Sequence, residues 1–511
     1  MSARLTVLLF CLFLLLSGRE PPWADANIAY QTTQALVDRG ELSIHPSAPS
    51  YFFVERAGKK YGFASLGTAL AQVPSYLTYK ALRKLPGLPQ APWFAFASHL
   101  SSSLAMALAL ALFARRAERL GAPAPLAVLL TLLLALTTLC LVYARSPYGE
   151  ALQTLLLLWF ADLVLAASEQ PTPKTLLCTG LCAGLLINAK LVYGPALLIG
   201  LGCFLLAQRA RRLSHNLTAV LWAALGALPG LLLLLGHNYV KTGHPLRTGY
   251  QSGQLGLFAG HLPTGLFGLL LSPGKGLVFY SPLVLLALFG LPAAWHTARR
   301  TTALLVAVSA SVTLLSAKYP VWHGGFCYGP RYLVPLIPLL VLLSVPWLSA
   351  LWQNAPRRLA LCLGLTGSLG LGASLLGCSL YWDHYCRVLS AVQRQAMSPR
   401  FSEDHHPLGY FVPQFSPILG HAWLLSHVLR HDPDLNRDAP WQTLLSGPLD
   451  LRDEQARLRL DLWTRDWLYG PQRRYGYGLL LLLSLGMVGS GGGIVRTLRR
   501  HQPERAAIDQ P

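Results

Sequence analysis

The sequence predicts an all-α polytopic membrane protein, and three observations support this prediction. Apolar runs of roughly 17 to 22 residues recur along the chain, the length that crosses ~30 Å of hydrocarbon. Of the 511 residues, 53% are hydrophobic and only 13% are charged, which is less charge than a soluble chain of this length exposes. Lysines and arginines cluster between alternate runs, as they do in cytoplasmic loops. We therefore predict a bundle of about 12 transmembrane helices.

The first apolar run, residues 5–18, follows Arg4. Two interpretations are open: an uncleaved first span, and a signal peptide cut near Ser17-Gly18. We favour the span, because it holds the loop that follows, residues 19–91, at a membrane surface.

That first loop carries its own structural signals. Residues 25–39 have helical periodicity, and Gly40 ends the pattern. Residues 51–55 are strand-like, and Ala57-Gly58-Lys59-Lys60 turns the chain back, which predicts a hairpin. Residues 62–82 are apolar enough to cross, but a crossing there would place the later basic clusters outside. We therefore expect 62–82 to lie on or dip into the outer leaflet.

The later spans are predicted at 92–114, 122–143, 150–168, 174–189, 191–208, 217–236, 277–294, 301–317, 332–352, 358–380 and 475–491. This order places both termini and most basic loop residues in the cytoplasm. The outer loops then face the periplasm. The net charge of +20 comes mainly from the inner loops, a pattern of membrane orientation rather than of nucleic-acid binding.

Three regions follow from this arrangement. Residues 1–380 form a transmembrane module and 476–511 the last transmembrane helix with a basic cytoplasmic tail. Residues 381–475 are the large polar stretch between them, with 11 basic and 11 acidic residues. We predict a helical subdomain on the outer face there, with a small core that draws on Trp423, Trp441, Trp463 and Trp467.

An acidic residue opens the first predicted helix, in the stretch Trp23-Ala24-Asp25-Ala26-Asn27. A carboxylate at a membrane surface suits a general base that accepts a proton from an alcohol or an amine. The alternative is a helix N-cap, because Asp is a favoured cap. The two roles do not exclude each other, so Asp25 is the candidate catalytic residue.

Six cations are candidates for holding a lipid phosphate, because fixed positive charge stabilises a phosphate leaving group; they are Arg331, Lys275, Lys59, Lys60, Arg56 and Lys190. Arg331 begins a span after a Gly-rich loop and has the geometry for two parallel bonds to phosphate; the alternative is a headgroup anchor. Lys275 lies in Ser-Pro-Gly-Lys-Gly, which resembles a phosphate nest but lacks the strand and hydroxyl of a nucleotide loop. A solvated turn is the alternative for Lys59 and Lys60.

Two acids, Glu150 and Asp162, fall in the predicted transmembrane region, where acids are functional candidates by default. Glu150 lies at the outer edge, where it would assist Asp25 or hold a cation. Asp162 lies deeper, where a structural hydrogen bond is the better interpretation. Three aromatic residues near the outer interface fit either an aromatic belt or sugar stacking; they are Tyr250, Trp322 and Tyr332.

Several stretches resemble one family, namely ADANIAYQTTQALVDRGELSI at 24–44, Gly58 to Pro74, Asn238 to Tyr250, Ser272 to Pro282, Trp322-His323-Gly324-Gly325 and Gly329-Pro330-Arg331-Tyr332-Leu333. With them the chain resembles the GT-C integral-membrane glycosyltransferases. That family includes protein O-mannosyltransferases and lipid A aminoarabinose transferases, and the chain is most similar to its bacterial relatives. The resemblance extends to about residue 352.

The resemblance implies a polyprenyl-phosphate-linked sugar as donor and an inverting transfer at the periplasmic face of a bacterial inner membrane. Asp25 stands in the position of the family's catalytic acid, and the acceptor would be a lipid, a glycan or a protein. Ala26 replaces the second acid of many members, and the Pro-Pro step of the next motif is absent. These departures argue against a metal centred on an acidic pair. We predict no cofactor, and a divalent cation stays open.

Two other functions are kept as alternatives: a transporter or flippase of lipid-linked sugars or polysaccharides, and a non-catalytic assembly subunit. A transporter would place polar residues along the whole bilayer depth, whereas here they gather at the outer edge. The sequence also shows no internal repeat of paired halves. The prediction is therefore an enzyme, a hexosyltransferase that depends on a polyprenyl-phosphate sugar.

Overall fold

The computed structural model describes residues 1–22, 24–44, 53–88, 90–209, 212–249, 258–396, 407–432, 434–442, 444–445, 447–468 and 473–500. Within these ranges the chain is mostly helical, with three short strands in the first loop. Trp23, Tyr51, Phe52 and Tyr250 lie outside the described residues.

Helices α1 to α12 are Ser2–Leu15, Ala24–Arg39, Gly67–Ala71, Val73–Leu82, Gln90–Ser98, Leu100–Arg119, Ala124–Thr137, Leu139–Ala144, Glu150–Glu169, Pro173–Ala189, Gly194–Ala207 and Leu213–Thr242. Helices α13 to α25 are Leu262–Leu271, Leu277–Tyr280, Leu286–Thr297, Arg299–Lys318, Ile337–Leu342, Val345–Asn354, Pro356–Ser379, Trp382–Ala396, Pro407–Phe411, Pro417–Arg430, Arg452–Arg457, Trp463–Leu468 and Arg473–Arg500. Strands β1 to β3 are Ser43–Ile44, Phe53–Arg56 and Lys59–Gly62. Single-turn 3-10 segments are Leu191–Tyr193, Pro282–Leu285, Arg331–Leu336 and Pro413–Phe415.

The chain is a multi-pass helical membrane protein. Among the described residues, six helical stretches are long and apolar enough to cross a membrane, namely Gln90–Arg119, Glu150–Glu169, Leu213–Thr242, Arg299–Lys318, Pro356–Ser379 and Arg473–Arg499. The pair Arg331–Leu342 and Val345–Asn354, bent by 44°, makes a seventh if it is one span. Other apolar helices, such as α1, α7 and α10, have 10 to 17 residues. The total of about 12 spans, counted on the length that crosses a bilayer, stays a prediction.

Two predicted spans are interrupted, and the interruptions meet. The run at 122–143 breaks between α7 and α8 at Thr138, whose φ of −138° and ψ of 172° are extended. The run at 277–294 breaks at Ser281, after α14. The Leu139 amide, freed by the first break, donates to the Ser281 hydroxyl at 3.1 Å. The hydroxyl at the second break therefore satisfies a backbone group freed by the first, as a buried apolar site requires.

The first loop folds as its sequence predicts. Helix α2 ends at Arg39 and Gly40 follows with a φ of +68°. Strands β2 and β3 form an antiparallel hairpin around Ala57 and Gly58, whose φ values of 51° and 71° are those of a tight two-residue turn. Lys59 and Lys60 belong to β3 rather than to the turn, and β1 pairs with the other edge of β3. Residues 62–82 contain only the short helices α3 and α4, too short to span.

Helices α6 and α9 form the centre of the bundle, with most of their residues buried. Near the end of α6, Arg116 donates through Nε to Asp162 of α9 at 2.7 Å, and both side chains are about 90% buried. Arg119 approaches the same carboxylate at 3.4 Å. The expected structural role of Asp162 is confirmed, because its carboxylate accepts the hydrogen bond from Arg116 and so holds α9 against α6.

Helices α10 and α12 pack unusually close because glycines face each other. A Cβ on Gly180 would lie 1.9 Å from the carbonyl oxygen of Ala223, and one on Gly226 would lie 2.2 Å from that of Leu177. Near the last residue of α10, the Asn188 amide donates to the Gly230 carbonyl of α12 at 2.7 Å. This contact positions the end of α10, immediately before Lys190.

The described residues of 381–475 are mostly helical, but the tryptophans belong to two cores. Trp441 packs with α20 and α22 inside the subdomain, with Trp423 partly buried beside it. Trp463 and Trp467 instead pack against α1 and α5, and Trp463 Nε1 donates to the Leu14 carbonyl at 2.8 Å. The expectation of one core for all four is therefore wrong: the second pair docks the subdomain onto the membrane helices.

A buried ion pair completes that docking. Arg145, after α8, pairs with Asp461 at 3.2 Å, and both side chains are at least 92% buried. Asp461 also accepts from the Arg19 backbone amide at 2.9 Å. Helix α1 itself packs between α6 and α25, and Arg4 donates to the Gly493 carbonyl of α25 at 2.6 Å.

Candidate active site

A small cavity, partly open to solvent, lies where the first loop meets the ends of several helices. Its lining comes from α2, from the segment that joins β3 to α3, from the first turn of α9, and from the ends of α10 and α12. Arg331 lines it as well. Polar groups from distant parts of the chain therefore converge on one concave site.

The cavity contains an ion pair between residues 306 positions apart. A terminal nitrogen of Arg331 donates to Oδ2 of Asp25 at 2.7 Å. The Arg331 side chain is 12% exposed and that of Asp25 is 31% exposed. Asp25 lies in the first turn of α2, which begins at Ala24, so a negative charge there also interacts favourably with the helix dipole. Arg331 is too buried for a headgroup anchor.

Lys190 is the second cation of the cavity. It follows the last residue of α10, and its Nζ lies 3.9 Å from the ring centre of Tyr332. The guanidinium of Arg331 lies 5.3 Å from the same ring. The Tyr332 ring therefore lies between two cations and supports both through cation–π contacts. The cavity is lined by one carboxylate–guanidinium pair and one further ammonium, with Glu150 beside them.

Glu150 is buried at the start of α9, and its Oε2 atom has no hydrogen-bond partner among the described residues. His237 of α12 is 5% exposed, and no described residue bonds to its Nδ1 atom. Both residues line the cavity, as does Gln153, one turn after Glu150. Buried polar atoms without a partner are uncommon and call for a physical explanation.

Lys275 is not among the cavity-lining residues. Its buried ammonium donates to the Cys327 carbonyl at 2.8 Å and lies 3.4 Å from that of Gly325. Trp322 is also placed elsewhere: it is 5% exposed and packs against Tyr410. Lys275 therefore fixes the 319–330 loop from inside, because its charge is taken up by carbonyl groups of that loop.

The three cations of the hairpin also point away from the cavity lining. Arg56 donates to the carbonyls of Tyr239 and Val240 at 2.5 and 2.9 Å, at the end of α12. Lys59 is exposed and pairs with Glu41 at 3.1 Å. Lys60 lies 4.4 Å from the ring centre of Phe53. These contacts hold the small sheet against its neighbours, and Tyr250 lies outside the described residues.

Three glycines shape the loop that precedes Arg331. Gly324, Gly325 and Gly329 have φ values of +77°, +70° and +69°, which favour glycine. A Cβ on Gly324 would lie 2.9 Å from Cγ of Arg331. The loop thus approaches the side chain of its own arginine, and this holds the guanidinium towards Asp25.

The structure brings Asp25, Glu150, Lys190 and Arg331, all candidates from the sequence, into one cavity, together with Gln153 and His237, which were not predicted. Gln153 was detectable as a polar residue one helical turn after Glu150 in an apolar run. His237 directly follows the predicted span 217–236, and no neighbouring residue in the sequence indicates a role for it. Across the described ranges, no group of three or more His, Cys, Asp or Glu residues is arranged to hold a metal ion.

Comparisons with known proteins give structural neighbours. No family model matches the chain, and no curated protein matches it. Two similar solved structures are crystal structures of ArnT from Cupriavidus metallidurans, one bound to undecaprenyl phosphate and one in the apo state. The first is 15% identical and covers 96% of this chain and 77% of its own, with a TM-score of 0.47. The second is 16% identical and covers 95% and 76%, also with a TM-score of 0.47.

Proposed function

We propose that this protein is an inner-membrane glycosyltransferase that moves a sugar from a polyprenyl-phosphate donor to an acceptor at the periplasmic face. The observation that carries the proposal is the Asp25–Arg331 pair at 2.7 Å in a cavity that Lys190 also lines. A base and two cations in one cavity match the needs of a transfer in which a hydroxyl loses a proton and a phosphate leaves.

The proposed reaction begins when the donor phosphate binds Arg331 and Lys190. A phosphate offers the planar guanidinium two acceptor oxygens, so it displaces the Asp25 carboxylate from Arg331. The acceptor oxygen then attacks the anomeric carbon, its proton passes to Asp25, and the carbon–oxygen bond to phosphate breaks. The lipid phosphate leaves with that electron pair. Attack opposite the leaving group inverts the anomeric carbon.

The orientation in this proposal rests on the loop charges. The Arg116–Asp162 pair lies about three turns along α9 from Glu150, and the charges of Arg115, Arg116 and Arg119 favour a cytoplasmic location for that side. The cavity at the opposite end then faces the periplasm. A lipid donor reaches such a site from the outer leaflet.

Replacing Arg331 with glutamine tests the proposal directly. We expect Arg331→Gln to weaken binding of undecaprenyl phosphate by about 100-fold, because charge-assisted bonds to phosphate are among the strong ones. Titration of the detergent-solubilised protein with undecaprenyl phosphate measures this. Arg56→Gln is the matched control, because Arg56 was also a phosphate-binding candidate from sequence and bonds outside the cavity. Equal affinity in both variants would refute a phosphate site at Arg331.

The charge of Lys190 predicts a pH dependence. Burial lowers the pKa of Lys190 to about 8; Glu150 and Asp25 oppose this effect and Arg331 adds to it. The ammonium is therefore present below pH 8 and is lost as the pH rises through that value. We expect the affinity for undecaprenyl phosphate to fall by up to about tenfold per pH unit above it. In Lys190→Met the affinity for undecaprenyl phosphate should be low and independent of pH from pH 7 to 9.5. If the variant's affinity instead falls with pH as in wild type, the titrating group is not Lys190.

A further inference from the structure

The polar lining of the cavity divides into two sets with different chemistry. One set is charged and already in contact: Arg331 pairs with Asp25, and Lys190 lies against Tyr332. The other set consists of Glu150, Gln153 and His237, on the first turn of α9 and the last turns of α12. Among the described residues, Oε2 of Glu150 and Nδ1 of His237 in this second set have no hydrogen-bond partner, and the same holds for Nε of Arg331 and the hydroxyl of Tyr148 in the same lining.

The unpartnered atoms cost stability in the ligand-free protein. A buried acceptor or donor that loses its hydrogen bond is penalised for its desolvation. Glu150 is 3% exposed and His237 is 5% exposed, so solvent contact offsets little of that penalty. Their burial next to an open cavity indicates a ligand group that supplies the missing hydrogen bonds.

The second set has a definite hydrogen-bonding pattern. Oε2 of Glu150 accepts hydrogen bonds when ionised. The carbonyl oxygen of Gln153 is occupied, because the Tyr193 hydroxyl donates to it at 2.9 Å. The Gln153 amide nitrogen is therefore the end that remains to donate. It lies 3.1 Å from the place a Cβ on Gly149 would occupy, so glycine at 149 leaves room for it.

An acceptor and a donor three residues apart on one helix turn lie side by side. This pair fits neighbouring hydroxyl groups, since one hydroxyl donates to Glu150 while the next accepts from Gln153. A phosphate does not fit, because its oxygens are acceptors and Glu150 would repel them. An apolar chain does not fit either, because it satisfies neither residue.

We infer that Glu150, Gln153 and His237 form the subsite that recognises the hydroxyl groups of the donor sugar. This inference rests on the proposed function and extends it: one end of the cavity binds the lipid phosphate and the α9–α12 side selects the sugar. Gln153 and His237 are specificity-determining residues on this assignment.

The test separates sugar recognition from phosphate binding. Undecaprenyl phosphate and its glucosyl, mannosyl and arabinosyl esters are titrated into the detergent-solubilised protein. Gln153→Glu keeps the acceptor for Tyr193 and removes the donor, and His237→Phe keeps the ring volume. Gln208→Leu is the matched control, because Gln208 is buried and bonds to the Ser168 carbonyl, outside the cavity lining.

We expect wild type to bind at least one sugar ester more tightly than the bare lipid phosphate. Gln153→Glu and His237→Phe should each reduce that preference at least tenfold, and bare-lipid affinity should stay within threefold. Gln208→Leu should keep the preference. A merely structural role predicts equal losses for both kinds of lipid, and that result would overturn the subsite, as would a wild type with no preference for any ester. Absence of bare-lipid binding to wild type would instead overturn the proposed function.

Discussion

Asp25→Asn is expected to abolish sugar transfer and, at the same time, to tighten the binding of undecaprenyl phosphate. Transfer should fall by about 1,000-fold, because a general base contributes 10²- to 10⁴-fold and an amide does not accept the proton. Binding should strengthen by roughly tenfold, since the carboxylate that competes with phosphate for Arg331 is gone; such a gain is about 1.4 kcal/mol.

The two effects have opposite signs, which makes the experiment discriminating. Asp38→Asn is the matched control: Asp38 belongs to the same helix and pairs with Lys80 at 2.6 Å, outside the cavity lining. It should leave both transfer and binding near wild type. Transfer that survives Asp25→Asn would remove Asp25 from the chemistry. Weakened lipid binding would show that Asp25 holds Arg331 in place rather than competing with the ligand.

The second large effect is expected on stability, from Gly226→Ala. The new methyl group would lie 2.2 Å from the Leu177 carbonyl oxygen, and a backbone carbonyl within a helix does not rotate away. Helices α10 and α12 must therefore separate, at a cost of roughly 2 to 3 kcal/mol, typical of overpacked sites. Thermal unfolding of the purified protein in detergent should show a melting temperature several degrees lower.

Gly236→Ala in the same helix is the control for Gly226→Ala. A Cβ there meets nothing within 4 Å, so the variant should be neutral or slightly stabilised by the better helix propensity of Ala, which reaches about 1 kcal/mol. Similar melting temperatures for both variants would mean that α10 and α12 separate readily. Gly226→Ala should also weaken lipid binding, because the pair positions Lys190 and His237.

The sequence predicted the location of residues whose distance from the end of a span fixes their depth in the membrane. Asp25, Glu150, Lys190 and Arg331 are each at the outer end of an apolar run, so a shared membrane face limits where their side chains lie. The hairpin was predictable from Ala57-Gly58 for a similar reason, since the turn is local. Their convergence on one cavity depends on how the helices pack, which cannot be inferred from a single sequence.

The misplaced cations have one physical origin, which is competition for their charge by the protein's own backbone carbonyls. Lys275 between glycines looks like an anion site in sequence, but the carbonyls of Cys327 and Gly325, 50 residues further along, take its charge. Arg56 is taken up in the same way by the end of α12. The error about the tryptophans of 381–475 has another cause. Two of them pack in a second core, because α1 provides an apolar surface there.

The pairing of α1 with α25 has a consequence for how the chain is made. Helix α1 packs along α25, and Arg4 bonds to the Gly493 carbonyl, a contact across 489 positions. The ribosome makes α1 long before α25, so one flank of the first helix is left open to lipid or to an insertase until α25 emerges. Assembly of this bundle therefore cannot be completed before α25 has been made.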